Sequence, residues 1–189
     1  KAQEKVVDGG LATIEKKKAP KRETPIKPAG SVSLDNFSSR CTGCQLCVQV
    51  CPNDVLRASS KLDTFMQPEM SYERGYCRPE CTRCSEVCPA GAITKVTREQ
   101  KTAIQIGHAV WIGRNCVPLR DGVSCGNCAK HCPSGAITMM PYDPEDATSP
   151  LIPTINTEKC IRCGACEHVC PARPFSAIFV EGNVTHINI

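Results

Sequence analysis

The residues of this chain with the clearest chemical potential are its cysteines, which number 16 among 189 residues. They fall into four groups of four, and each group ends in Cys-Pro. The groups occupy residues 41–52, 77–89, 116–133 and 160–171. Cysteine sulfur binds zinc and iron–sulfur clusters, and cysteines also pair as disulfides. The chemistry available to this chain is therefore metal binding or redox chemistry through sulfur.

The spacing within the groups favours iron–sulfur clusters. The first and fourth groups read C-x2-C-x2-C-x3-C-P. With this spacing three thiolates of one loop bind one 4Fe-4S cluster, and the fourth cysteine binds a second cluster. Zinc sites normally combine two CxxC pairs or cysteine with histidine, and disulfide frameworks do not repeat such triplets. Sixteen cysteines are the number that four clusters with four ligands each require, so we predict four 4Fe-4S clusters.

The second and third groups depart from this spacing. The second has three residues, Arg78 to Glu80, between its first two cysteines, and the third has eight residues between Cys116 and Cys125. We still include every cysteine in the predicted ligand set. The predicted cofactor-binding residues are Cys41, Cys44, Cys47, Cys51, Cys77, Cys81, Cys84, Cys88, Cys116, Cys125, Cys128, Cys132, Cys160, Cys163, Cys166 and Cys170.

The elements that must position these cysteines are short. The groups recur about every 40 residues, which indicates an internal repeat. Strand-like runs follow three of the groups, at 91–94, 135–138 and 176–179, and others precede the next group, at 109–112 and 152–155. We predict an α+β fold with little regular secondary structure. It consists of two pseudo-twofold bacterial dicluster-ferredoxin units, built from cysteine loops, short helical turns that carry the last cysteine, and small β-hairpins.

The charge is concentrated at the N-terminus. Residues 1–30 hold eight Lys or Arg and four acidic residues, which accounts for the whole formal charge of +4. Their lysine- and proline-rich composition predicts a flexible basic tether. Residues 31–189 hold 15 basic and 15 acidic residues and form the predicted four-cluster domain. Sixteen thiolates and four oxidised cores add about −8, so the loaded protein is anionic and we expect no nucleic-acid partner.

On these residues the sequence resembles the four-cluster ferredoxins of the MauM/NapG type. The resemblance covers about residues 31–189. It rests on the order of the four groups, on the stretched third group, and on segments 106–112 and 156–164, which lead into the last two groups. It implies export to the periplasm, by a signal absent from this chain, and possible association with the membrane. It also implies a membrane-bound iron–sulfur or quinol-oxidising donor and a redox enzyme as acceptor. A cytoplasmic location is the alternative.

The resemblance also implies a nested pairing, in which the first group pairs with the fourth and the second with the third. The implied ligand sets are Cys41, Cys44, Cys47 and Cys170; Cys77, Cys81, Cys84 and Cys132; Cys116, Cys125, Cys128 and Cys88; and Cys160, Cys163, Cys166 and Cys51. Spacing alone equally permits a tandem pairing of the first group with the second and the third with the fourth.

The sequence contains no catalytic constellation: no nucleophile–base pair, no open metal position, and no flavin or nicotinamide site. No stretch approaches the roughly 20 apolar residues of a membrane span. We predict a polyferredoxin, not an enzyme, that relays single electrons from a quinol-linked, membrane-bound donor to a terminal reductase. The alternatives are an electron-transfer subunit of a molybdoenzyme or hydrogenase complex, and a structural zinc-binding interaction module. Trp111 is predicted to be a core residue, and His131 and His168 are predicted not to bind metal.

Overall fold

A computed structural model describes the backbone of residues 6–8, 12–14 and 22–188, and side chains over 22–188. The helices are α1 Leu34–Arg40, α2 Leu46–Gln49, α3 Arg83–Glu86, α4 Arg98–Ala103, α5 Val117–Asp121, α6 Asn127–Lys130 and α7 Ala165–His168. The strands are β1 Val6–Asp8, β2 Ala12–Ile14, β3 Leu56–Ala58, β4 Pro68–Met70, β5 Ile104–Trp111, β6 Ile137–Pro141, β7 Leu151–Ile155 and β8 Ile178–Asn188. Two 3-10 turns lie at Leu62–Thr64 and Gly113–Asn115. These short elements confirm the predicted mixture of helices and strands.

The strands pair into four antiparallel sheets of two strands each: β1 with β2, β3 with β4, β5 with β8, and β6 with β7. The β3–β4 hairpin lies between the first and second cysteine groups, and the β6–β7 hairpin lies between the third and fourth. Each hairpin reverses the chain, so successive groups return to the same place, and α2 contacts α3 while α6 contacts α7. The buried side chains accordingly form two clusters, one around each pair of groups.

The sheet of β5 and β8 joins the two halves of the molecule. In its register Trp111 is opposite Ile178 at one end and Ile104 is opposite Asn188 at the other. The register shifts between Gln105 and Gly107. We call the part that holds the first two cysteine groups the first unit and the part that holds the last two the second unit. Because β5 follows the second group and β8 follows the fourth, this sheet joins the two units.

Two local predictions differ from the structure. The run 91–94 is not a strand, because Thr94 bonds instead to the N-terminal segment, with its backbone N 3.0 Å and its Oγ1 2.9 Å from the carbonyl oxygen of Gly30. The short helices also carry the third cysteine of each group rather than the last. These third cysteines are Cys47, Cys84, Cys128 and Cys166.

The N-terminal prediction also needs correction, because residues 22–30 are packed into the fold rather than forming part of a tether. Ile26 is fully buried, and its carbonyl accepts a hydrogen bond of 2.9 Å from the backbone N of Met70. The ammonium of Lys27 donates to the carbonyl oxygen of Pro68 at 3.0 Å and lies 4.8 Å from the centre of the Phe37 ring. Upstream, β1 and β2 form a hairpin. The rest of the predicted tether lies outside the described residues.

Arg22 anchors this N-terminal segment to the second unit. Its Nη2 donates to both carboxylate oxygens of Glu167, at 2.8 and 2.9 Å, and its Nε donates to the carbonyl oxygen of Val180 at 2.8 Å. The Glu167 side chain is only 14 % exposed. Burial raises the pKa of the Glu167 carboxyl, and the charge of Arg22 opposes that rise. The ion pair therefore stabilises a carboxylate in a site that would otherwise disfavour its charge.

We expect Arg22→Ala to lower the free energy of unfolding by about 2 kcal/mol, because it leaves a buried carboxylate without its counter-ion while the arginine itself is partly solvated. Arg57→Ala is the matched control, since Arg57 makes a 2.9 Å ion pair with Glu73, whose side chain is 75 % exposed. That pair should contribute no more than about 1 kcal/mol. Guanidinium denaturation of the two variants compares them, and equal losses would contradict an anchoring role for Arg22.

Candidate metal centres

Four cavities in the structure each bring together a quartet of cysteines. Site A is lined by Cys41, Cys44, Cys47 and Cys88. Site B is lined by Cys51, Cys77, Cys81 and Cys84, and Cys163 of site C also lies in its wall. Site C is lined by Cys132, Cys160, Cys163 and Cys166. Site D is lined by Cys116, Cys125, Cys128 and Cys170. Each site thus takes three cysteines from one group and the last cysteine of a neighbouring group.

The nested pairing implied by the family resemblance is wrong. Cys170 lies with the third group at site D rather than with Cys41, and Cys88 lies with the first group at site A rather than with Cys116. The pairing is tandem, because the β3–β4 and β6–β7 hairpins fold each group back onto its sequence neighbour. The segment between the second and third groups contains no such hairpin, since β5 pairs with β8 instead.

Backbone amides point at the sulfurs of three of the four cysteines that end the groups. The amide of Val55 donates to Cys51 Sγ at 3.4 Å, and the amide of Ile93 donates to Cys88 Sγ at 3.4 Å. In the second half, the amide of Ala177 lies 3.3 Å from Cys170 Sγ. Hydrogen bonds to sulfur favour the thiolate and are one of the means by which proteins adjust cluster potentials. The loop after each of these cysteines therefore contributes to its site as well as to the fold.

Four of the other cysteines lie in surroundings that favour the neutral thiol when no metal is bound. Burial, followed by the neighbouring thiols, raises the pKa of Cys47 to about 11 and that of Cys84 to about 12. Burial raises the pKa of Cys128 and of Cys163 to about 11 each. Metal binding must displace these protons, so the metal supplies the charge that makes the thiolates stable there.

Trp111 supplies a further donor that fits an anionic group at site D. Its indole N–H is buried with no well-formed hydrogen bond among the described residues. The indole nevertheless faces Cys116 and favours its thiolate, although burial has the larger effect and raises the pKa of Cys116. Four cysteines lining one cavity, the Ala177 amide directed at Cys170 and the indole beside Cys116 together fit a thiolate-ligated cluster. Trp111 is therefore part of the wall of site D as well as a packing residue.

Comparison with known proteins agrees with this arrangement. The family profile of the 4Fe-4S dicluster domain matches residues 40–92, which hold the first two cysteine groups, and residues 123–173, which hold the last two groups except for Cys116. The chain is 30 % identical over 166 residues to the methylamine utilization ferredoxin-type protein MauM of Methylophilus methylotrophus, covering 85 % of this chain and 72 % of that protein. The chain belongs to the 4Fe-4S dicluster ferredoxins.

Other matches of this ferredoxin differ in strength. It is 29 % identical over 180 residues to the ferredoxin-type protein NapG of Escherichia coli, covering 86 % of this chain and 75 % of that protein. A chain of the formate dehydrogenase–heterodisulfide reductase–formylmethanofuran dehydrogenase complex from Methanospirillum hungatei matches with a TM-score of 0.31 and 20 % identity, over 78 % of this chain and 51 % of that chain. Two dicluster units with sixteen cysteines fit four 4Fe-4S clusters, and the role is electron transport.

The two units of this ferredoxin meet between sites B and C. The backbone N of Cys77 donates to the carbonyl oxygen of Cys163 at 2.8 Å, and Cys163 also lines site B. The hydroxyl of Tyr72, which is fully buried, donates to the carbonyl oxygen of Arg162 at 2.8 Å. The Nδ1 of His168 lies 3.1 Å from the carbonyl oxygen of Tyr72. Ligand loops from the two units therefore touch directly.

Several side chains at these sites were not identified from the sequence. Lys101 contacts the sulfur of Cys77, and Arg162 lies in the walls of sites B and C. The sequence feature related to Lys101 is the extra residue between Cys77 and Cys81. Only the folded chain shows that the carbonyls of this loop bind the Lys101 ammonium. His131 and His168 are not among the residues that line sites A to D. No helix among the residues described is both long and apolar enough to span a bilayer.

Proposed function

We propose that this ferredoxin relays single electrons along four 4Fe-4S clusters, held by the cysteine quartets of sites A to D. The observation that carries the proposal is that the sixteen cysteines line four cavities as one quartet at each, with Cys163 of site C also lining site B. A 4Fe-4S cluster with four thiolate ligands exchanges one electron and has no vacant position for a substrate. The chain's own part is to hold the sulfurs, to exclude water from the buried cysteines and to direct N–H groups toward them.

The contacts between quartets support the order A, B, C, D. Helix α2, which carries Cys47 of site A, contacts α3, which carries Cys84 of site B. Likewise α6, with Cys128 of site D, contacts α7, with Cys166 of site C. Cys77 of site B and Cys163 of site C share a backbone hydrogen bond. Because the order of the sites differs from the order of the groups along the chain, the third group forms one end of the path.

Sites A and D are the ends at which we propose that partners exchange electrons. Of the sixteen cysteines, all of which the structure describes, Cys44 at site A is the exposed one. The loop beside it carries Leu62 and Phe65, with exposed fractions of 93 % and 64 %, and the carbonyl oxygen of Met66 in this loop accepts a hydrogen bond from the Gln45 side chain. A surface of this kind at the end of a path suits docking of a redox protein.

For the partners we propose a quinol-linked, membrane-bound iron–sulfur donor and a terminal reductase as acceptor, with the protein acting in the periplasm. The support is the relationship to the MauM and NapG ferredoxin-type proteins, together with a sequence that contains no motif for binding a flavin, a nicotinamide or another substrate. Membranes of the host organism, supplied anaerobically with a quinol, should reduce the holoprotein. Failure of reduction by membranes, with normal reduction by dithionite, would show that the proposed donor is wrong while leaving the carrier role intact.

The carrier role is tested on the full chain, purified or reconstituted without oxygen. We expect about sixteen irons and sixteen sulfides per chain and an uptake of about four electrons on reduction, with an EPR signal from the reduced clusters. Iron and sulfide analysis, coulometric reduction and low-temperature EPR measure these quantities. A colourless protein loaded with zinc would instead support the structural zinc module and overturn the carrier role.

A further inference from the structure

The ammonium group of Lys101 is held directly against a sulfur of site B. Its Nζ lies 3.2 Å from Cys77 Sγ, 2.5 Å from the carbonyl oxygen of Arg78 and 2.6 Å from the carbonyl oxygen of Cys81. An ammonium has three N–H donors, and here each donor has one acceptor. The two carbonyls fix the position of the nitrogen, so its third donor is directed at the sulfur.

Two features of the sequence build this position. Helix α4 begins with a capping box, in which the Thr97 side chain and the Gln100 side chain each accept a hydrogen bond from the other's backbone N. This cap fixes the helix whose last turn carries Lys101. The second feature is the extra residue between Cys77 and Cys81, because the carbonyls of Arg78 and Cys81 that accept from Lys101 belong to this lengthened loop. The irregular spacing of the second group thus creates a site for a cation.

We propose that Lys101 raises the reduction potential of the cluster held at site B. This inference rests on the proposed function, since it assumes a cluster ligated by Cys77. Reduction adds one negative charge to a centre that is already anionic. A positive charge that donates a hydrogen bond to a ligand sulfur stabilises the reduced state more than the oxidised state, which raises the potential. Lys101 therefore makes the cluster at site B, which adjoins the second unit, easier to reduce.

A second cation, the buried Arg162 guanidinium, lies where the two units meet, in the walls of sites B and C. The Arg162 side chain is 2 % exposed, and it donates to the carbonyl oxygens of Gly107 at 2.6 Å and Thr157 at 2.8 Å rather than to a carboxylate. Its Nη1 is buried and has no hydrogen-bond partner in the part of the chain that the structure describes. A buried guanidinium without a carboxylate needs another negative charge nearby. The clusters at sites B and C, whose walls both include Arg162, would supply that charge.

Site A has a neighbouring cation of a different kind. Burial lowers the pKa of the Lys27 ammonium, and Glu69 and Cys41 oppose that shift, but the hydrogen bond of Lys27 goes to Pro68 and not to a sulfur. The direct contact with a ligand sulfur therefore distinguishes Lys101. Replacing Lys101 is therefore expected to change the reduction potential of the cluster at site B.

The test is an EPR-monitored redox titration of the holoprotein carrying Lys101→Met, which keeps the length of the side chain and removes its charge. We expect one of the four one-electron waves to shift to lower potential. The expected shift is a roughly tenfold change in the ratio of reduced to oxidised cluster, or about 59 mV for one electron. Lys101→Arg retains the charge and should recover most of the shift.

Arg98→Met is the matched control, because it removes one positive charge from the exposed start of the same helix. Four unshifted waves in Lys101→Met, or an equal shift in Arg98→Met, would overturn the proposal. If Lys101→Met assembles fewer than four clusters, Lys101→Gln provides the same loss of charge with N–H donors retained. Loss of a cluster in both variants would mean that Lys101 is needed for assembly only, and this would also overturn the proposal. Iron content and electron uptake of the unsubstituted protein test the carrier role separately.

Discussion

Combining Cys44→Ala with Cys170→Ala should reduce the iron content from about sixteen to about eight atoms per chain, because the two cysteines serve different clusters. Cys44 lines site A and Cys170 lines site D, in opposite units of the protein. Losses at independent sites add, so the double variant should lose as much as both single variants together. Iron and sulfide analysis after anaerobic reconstitution measures the loss.

The matched control combines Cys44→Ala with Cys88→Ala, two cysteines that line the same site A. This variant should retain about twelve irons, because the second substitution damages a cluster that the first has already disrupted. A nested arrangement makes the opposite prediction for both double variants. Retention of about twelve irons with Cys170→Ala and about eight with Cys88→Ala would therefore refute the tandem pairing.

Gly164→Ala should lower the free energy of unfolding by about 3 kcal/mol or more, the upper end of the cost of overpacking. A Cβ at this position would overlap the ring of Tyr72, which is fully buried and cannot move toward solvent. Gly164 also has a φ of +77°, a conformation that is unfavourable for alanine. Since Gly164 lies between Cys163 and Cys166, displacing Tyr72 should disturb both the junction of the units and site C.

The matched control is Gly135→Ala in the same unit. Gly135 has a similar φ of +62°, but a Cβ there would have no atom of the described residues within 4 Å. This variant should lose only the backbone contribution, about 1 to 2 kcal/mol. Guanidinium denaturation of the holoproteins, followed by visible absorption and circular dichroism, compares the two. Equal destabilisation would indicate that Tyr72 is not held rigidly against Gly164.

The cysteine pattern allowed the cofactor and the electron-carrier role to be predicted, because the ligand spacing of a 4Fe-4S cluster is a local property of the chain. The strands at 137–141 and 151–155 could also be predicted from the local sequence. The run 91–94 was not, because Ile93 and its neighbours are buried against the segment around Gly30 rather than paired as a strand. The burial of Lys27 could not be predicted either, because a lysine within a basic, proline-rich segment normally indicates a solvent-exposed chain.

The sequence by itself determined which sulfurs are available, that they come in fours, and that the chain is an iron–sulfur protein. The tertiary structure alone decided which four sulfurs meet, because both pairings satisfy the same spacing and only the two hairpins make neighbouring groups adjacent. It also decided that ligand loops of the two units touch at Cys77 and Cys163, and that Lys101 reaches a ligand sulfur. These contacts join residues far apart in the chain, and their formation depends on how whole elements pack rather than on local spacing.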